Sequence, residues 1–196
     1  MRKLFLALLL GSTFFFPMVS YAEGSYLKLG VGESTYAGFP VTTGIPIDPS
    51  RTATAGFIAY GMTIAPNFSG EIGYIDFGTS DSKLSFPDSG LGVADQLKTR
   101  SIYLAGIGDV PISSAISFQA KLGMVMHHTN TKLTVTFLGD GATAESSYRK
   151  TRALVGAGFK FQFSKEISGV VEYTYFGTVV DGSELSLLSA GLLYHF

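Results

Sequence analysis

"SGVVEYTYFG" (168–177) has the valines and aromatics of a strand bound for an apolar setting, yet Glu172 stands in its middle. An earlier stretch, "SGEIGYIDFG" (69–78), repeats the arrangement around Glu71. Strand alternation reconciles the two chemistries, because successive side chains point to opposite faces. Ile167, Gly169, Val171, Tyr173 and Tyr175 share one face, and Ser168, Val170, Glu172 and Thr174 the other. In the earlier stretch Ile72 and Tyr74 oppose Glu71 and Gly73. One face suits an apolar solvent and the other must give a carboxylate a partner.

The whole chain shares this bias. Of its 196 residues 46% are apolar and only 15% charged, with 24 Gly, 16 Phe and 10 Tyr. A soluble domain usually carries about a quarter charged residues, so this one would be short of polar surface. Glycine with aromatics favours packed sheets over helices. With no Cys, disulfides and thiolate chemistry are excluded. A net charge of −1 without a basic run argues against a nucleic-acid partner.

The N-terminus, "MRKLFLALLLGSTFFFPMVSYA", reads as a secretory signal peptide over 1–22: Arg2 and Lys3, an apolar run, then small residues at Ser20 and Ala22. Its apolar run is interrupted by Gly11, Ser12 and Pro17, too soon for a comfortable transmembrane anchor. Removing two of 14 basic residues leaves 12 against 15 acidic ones, a net of −3 over 23–196. That remainder contains no apolar run of about 18 residues, the length of a spanning helix.

Strand patterns recur at 26–32, 52–63, 68–77, 98–108, 116–129, 148–163, 167–176 and 185–196. The gaps alternate: long and rich in Gly, Ser and Pro, then tight, as in "IAPN", "DVPISSA" and "SKE". The third long gap holds Gly139, Asp140 and Gly141, a hairpin signal, and is expected to extend as a ribbon. Long and short gaps in alternation predict an all-β fold: an eight-stranded antiparallel up-and-down transmembrane β-barrel, its long loops outside and its termini periplasmic. Closure pairs every backbone amide, as lipid demands.

Parity then assigns the charges. Lys28, Lys121, Arg152 and Lys160 fall on the inward face of their strands, as do Glu71 and Glu172. Turning a Lys or Arg to lipid at the midplane would cost about 2–4 kcal/mol, and an unpaired charge inside is costly too. Glu71 and Glu172 are therefore expected to pair with Lys121, Arg152 or Lys28. Lys98 and Arg100 are assigned to the watery outer end of their strand, and Asp76 to the outer rim.

At these residues the chain resembles the eight-stranded transmembrane domain of OmpA-like outer-membrane proteins. The resemblance rests on "APNFSGEIGYIDFG" (65–78), "QAKLGM" (119–124), "GAGFKFQFSKEISGVVEYTYFG" (156–177) and "LSAGLLYHF" (188–196), and covers essentially all of 23–196. It implies a lumen lattice centred on Glu71, Lys121 and Glu172, with Arg152 resting on parity alone. It also implies that Tyr194 and Phe196 form a C-terminal signal for the barrel-assembly machinery. Family members that grip peptidoglycan continue well beyond the barrel; the sequence stops at Phe196, so no such tether is expected.

Other chemistries are weaker. "MVMHHTN" resembles the His and hydroxyl arrangement of outer-membrane lipid A deacylases, with His127, Thr129 and Asn130 in those places and Glu145 as the available orienting carboxylate. The competing reading sets His127 and His128 at the outer rim among headgroups or loop water. Neither His has a third ligand at metal spacing, and His195 belongs at the opposite membrane face. "GVG", "GIG" and "GAG" open no helix and carry no phosphate-binding Lys. The expected protein is a non-catalytic outer-membrane barrel with a structural or surface-interaction role, without cofactor or metal. A narrow gated pore plugged by a salt bridge is the second reading, and a lipid A-modifying enzyme the third. Expected partners are outer-membrane lipid and lipopolysaccharide, the assembly machinery, and host or cell-surface ligands at the loops, not nucleic acid.

Overall fold

The computed structural model describes residues 24–38, 50–86, 91–137, 140–180 and 183–196. The expected signal peptide and residues 39–49 of the first outer loop lie outside them. Eight antiparallel strands close into one barrel in sequence order: β1 (Ser25–Ala37), β2 (Ser50–Ala65), β3 (Phe68–Phe86), β4 (Leu91–Pro111), β5 (Ile116–Phe137), β6 (Asp140–Gln162), β7 (Ile167–Val180) and β8 (Ser183–His195). The ladder between β1 and β8 completes the circle, from Tyr26 opposite His195 to Ala37 opposite Glu184. The fold class is the one that alternation and gap length predict.

The tight turns have local causes. Asn67 takes a left-handed φ of 62° between β2 and β3, a conformation Asn tolerates. The β4–β5 and β6–β7 turns share one design. Ser113 Oγ accepts from the amides of Ala115 and Ile116, and Ser164 Oγ accepts from those of Glu166 and Ile167. Serine at such a position satisfies amides that the ladder leaves open.

Two expectations of element length are corrected. The sequence pattern assigns residues 78–97 to an outer loop, but β3 and β4 stay paired out to Phe86 and Leu91. The glycines closing the two opening stretches do not end their strands. Gly78 (φ 78°) and Gly177 (φ 73°) sit where the ladders slip by one residue, between Asp76 and Thr79 and between Tyr175 and Thr178. Each is a bulge that needs a positive φ and then lets pairing resume. The β5–β6 ribbon runs to Phe137 opposite Asp140. A crossing takes about 9–11 residues, whereas β4, β5 and β6 have 21, 22 and 23. About half of each stands clear of the hydrocarbon.

The outer wall is apolar around its full circumference. Leu29, Ile58, Ile72, Leu104, Leu122, Val155, Val171 and Leu192, one from each strand, are all exposed on it. In water such a continuous band would be an aggregation surface; in lipid it is the solvated face. The inner wall is filled by aromatics lying over glycines directly across the ladder: Tyr26 over Gly61, Phe57 over Gly30 and Tyr103 over Gly73. The missing side chain on one strand is the space that the ring on its neighbour occupies.

Candidate functional site

Lys28, Glu71, Lys121 and Glu172 come from β1, β3, β5 and β7, so every second strand supplies one charge and the signs alternate around the lumen. The even strands supply room. Lys28 stands opposite Ala59, Glu71 between Gly61 and Ala105, Lys121 opposite Gly156, and Glu172 between Gly158 and Ser189. The "GAG" glycines thus let two long charged side chains reach the barrel axis.

The four groups form one lattice. Lys121 Nζ lies 3.0 Å from Glu71 Oε1 and 2.7 Å from Glu172 Oε1. Lys28 Nζ lies 3.2 Å from Glu172 Oε2 and 3.8 Å from Glu71 Oε2. Three hydroxyls add further hydrogen bonds to the two carboxylates. Tyr26 and Tyr103 donate to Glu71 at 3.0 and 2.7 Å, and Thr174 donates to Glu172 at 2.7 Å. Each ammonium also faces a ring, Lys28 over Phe57 at 5.4 Å and Lys121 over Tyr103 at 5.2 Å. Two positive and two negative groups, all buried, sum to zero charge. Buried ions need such pairing and hydrogen bonding to offset desolvation.

Arg152 lies outside this lattice, a correction to its expected pairing. It shares the inward parity but stands four residues beyond Gly156, about 13 Å along the strand, with buried Leu154 in between. Its stem packs on Gly177, and its guanidinium donates to the carbonyls of Thr178 and Thr151 at the outer opening. Lys160 sits at the tight-turn end of the barrel, 2.8 Å from Asp109, which also accepts from Gln119 at 2.8 Å. Tyr194 and Phe196 are exposed on the outer wall with their rings 5.3 Å apart and edge to face. Tyr26, Tyr103 and Thr174 were not singled out as lattice members, although Tyr26 shares the parity of Lys28 and Thr174 that of Glu172.

Above the lattice the lumen is filled mainly by apolar side chains, with a few buried hydroxyls and His127 among them. Ile75, Leu154, Phe176 and Leu187 cover it, and Tyr36, Phe77, Leu97 and Leu185 lie in the same buried cluster. Phe77 and Phe176 close on each other edge to face at 5.0 Å. These are the phenylalanines that precede the closing glycines of the two opening stretches, each just before its bulge. The cavity between lattice and apolar cover measures 10 Å³. A water needs about 10–15 Å³ by that measure, so this space holds one water at most.

His127 is 1% exposed and lies inside the barrel, which corrects its assignment to the rim. Its Nε2 donates to the Phe176 carbonyl at 3.0 Å, and its Nδ1 accepts from Ser101 Oγ at 2.7 Å. The carbonyl can only accept, which fixes this tautomer. Thr129 pairs with Thr99, and Glu145 with Lys132 out on the ribbon, so the deacylase-like residues are not brought together. Among the described residues no cluster of three or more His, Cys, Asp or Glu is placed to hold a metal.

Solved structures share this architecture at low identity. The attachment invasion locus protein Ail of Yersinia pestis is 16% identical with a TM-score of 0.55, covering 88% of this chain and 98% of its own. Neisserial surface protein A is 15% identical with a TM-score of 0.55, covering 88% and 97%. The N-terminal β-barrel domain of Pseudomonas aeruginosa OprF is 11% identical with a TM-score of 0.54, again covering 88% and 97%. No curated protein sequence matches the chain. The family model of the OmpA-like transmembrane domain matches residues 21–196, and the chain belongs to that family of outer-membrane barrels.

Proposed function

We propose that the chain is a non-catalytic, non-conducting barrel that holds β-ribbons above the outer membrane of a Gram-negative cell for contact with surface ligands. The observation that carries this is the pairing of a sealed lumen with strands about twice the crossing length. A pore would need a wetted path and an enzyme an accessible reacting group. The Ser101–His127 pair has the elements of an activated hydroxyl, but both side chains are buried, with His127 beside the rings of Phe77 and Phe176. The ribbons carry polar side chains that bond across the ladder, Lys132 to Glu145 at 3.2 Å and Thr134 to Thr143 at 3.2 Å. Binding functions concentrate on such projecting segments, held by a rigid scaffold.

Export would use the signal peptide 1–22, and insertion the assembly machinery acting on Tyr194 and Phe196. Ail was solved with the heparin analogue sucrose octasulfate, which makes a sulfated saccharide the first probe to try. Cells displaying the wild-type chain should be retained on a host-matrix or sulfated-saccharide surface. Cells displaying a chain with the β5–β6 ribbon shortened should not. Equal retention of the two would sink the ligand-presenting role.

A further inference from the structure

The outer wall carries a second built feature, away from the lumen. Arg100, His128 and Arg149 are direct cross-strand partners on β4, β5 and β6, forming one row. On β4 and β5 the row begins immediately beyond the last apolar residues of the wall, Ile102 and Met126. A groove of 330 Å³ is lined by the three basic side chains and by Tyr74, Ile102 and Met126. One carboxylate faces it: Asp76 holds Arg100 at 3.0 Å. Arg149 has no ion pair among the described residues, and His128 Nδ1 has no hydrogen-bond partner though it is shielded from solvent. Arg100 and Arg149 thus flank His128 on both sides, an arrangement that offers an anion two guanidinium groups and an unpartnered ring nitrogen.

We propose that this groove binds a phosphorylated lipid of the outer leaflet, its phosphate on Arg149, His128 and Arg100 and an acyl chain along Met126, Ile102 and Tyr74. The basic half selects a phosphate, which guanidinium groups hold in fork geometry. The apolar half, continuous with the lipid-facing band, selects a lipid over a soluble anion. Direction along the strands fixes the leaflet, because the row lies towards the long ribbons and away from the tight turns. The inference rests on the proposed outer-membrane placement.

The test is native mass spectrometry of the refolded mature chain with diphosphoryl lipid A, its dephosphorylated form, and inorganic phosphate as competitor. Wild type should retain the diphosphoryl lipid about tenfold better than the dephosphorylated one, and Arg149→Gln or His128→Gln should each lose about tenfold, a difference of one charge-assisted contact. Arg149→Lys should keep most of the binding, and Lys165→Gln, in a periplasmic turn, all of it. The unboiled gel band shows that each variant is folded. Equal retention of both lipids, no effect of either row substitution, or displacement by inorganic phosphate would overturn the proposal. Protease access to the ribbons on intact cells tests the placement separately: ribbons out of reach would refute that reading whatever the lipid result.

Discussion

Glu71 and Glu172 stand on opposite walls of the barrel, four strands apart in either direction, and are joined through a single ammonium, that of Lys121, at 3.0 and 2.7 Å. Lys28 closes the ring from the other side at 3.8 and 3.2 Å. Each carboxylate therefore shares both cations with a partner across the lumen. That arrangement ties β1, β3, β5 and β7 across the axis, where ladder hydrogen bonds link only neighbours. It also answers why an apolar strand should carry a carboxylate twice: both strands donate one arm to the same cross-brace.

Removing one member should be costly. Lys121→Met leaves two buried carboxylates with one cation, and such losses typically cost about 3–5 kcal/mol. Lys121→Met combined with Glu172→Gln restores neutrality and should recover a large share. Denaturant midpoints of the refolded barrel in micelles would show this as strong non-additivity. Simple additivity of the two single changes would mean that the lattice is not one unit.

Conductance should be absent from wild type, and also from Glu71→Ala and Glu172→Ala. The lattice is not the sole barrier, because Phe77 and Phe176 meet at 5.0 Å in the apolar layer beyond it. Discrete steps should need both layers breached, as in Glu172→Ala with Phe77→Ala and Phe176→Ala. Planar-bilayer recordings check this directly. Steps in wild type, or in either single glutamate variant, would refute the sealed lumen.

Parity states which side chains face the lumen but not at what depth, which is why Arg152 looks equivalent to Lys121 in the sequence and lies about four residues higher in the barrel. Depth depends on register, a tertiary property set by the two bulges and the turns. The bulges themselves were hidden, because a glycine after Phe77 or Phe176 reads equally as a strand end or as an inserted residue. The hairpin signal at 139–141 announced the β5–β6 ribbon, but the β3–β4 extension was hidden for a different reason. Beyond the lipid the outer face no longer needs to be apolar, so the alternation fades while the ladder continues to Phe86 and Phe137. The eight crossings were legible because lipid enforces alternation within them. His127 could have been placed as well: it keeps the parity of Lys121, Gly123 and Val125.

Two glycines should respond oppositely to alanine. A Cβ on Gly73 would lie 2.5 Å from the Tyr103 ring, whose hydroxyl is held by Glu71, so the ring cannot swing away without losing that bond. Gly73→Ala should cost about 1–3 kcal/mol, the usual penalty of overpacking. Gly56 has nothing within 4 Å of such a Cβ, and Gly56→Ala should gain up to about 1 kcal/mol from reduced backbone entropy. Thermal unfolding of the two variants, followed by unboiled gel mobility, separates them. Similar losses at both positions would mean that glycine is needed for backbone bending and not for ring space.

The ribbon should be separable from the barrel. Asn130 and Ser147 are ladder partners, so replacing 131–146 with Asn-Gly offers a two-residue hairpin whose twist suits the flanking strands. The deletion removes the β5 partners of residues 91–97 together with exposed side-chain pairs such as Lys132 with Glu145, and exposed ion pairs contribute roughly 0–1 kcal/mol. The lattice and the Ser101–His127 pair lie below the cut, while Leu97 at the top of the apolar cluster loses its ladder partner Thr131. The shortened chain should keep the wild-type gel shift, with a midpoint within about 1 kcal/mol of wild type, while losing retention on the ligand surface. Collapse of the barrel on shortening would mean that the ribbon is part of the folding unit.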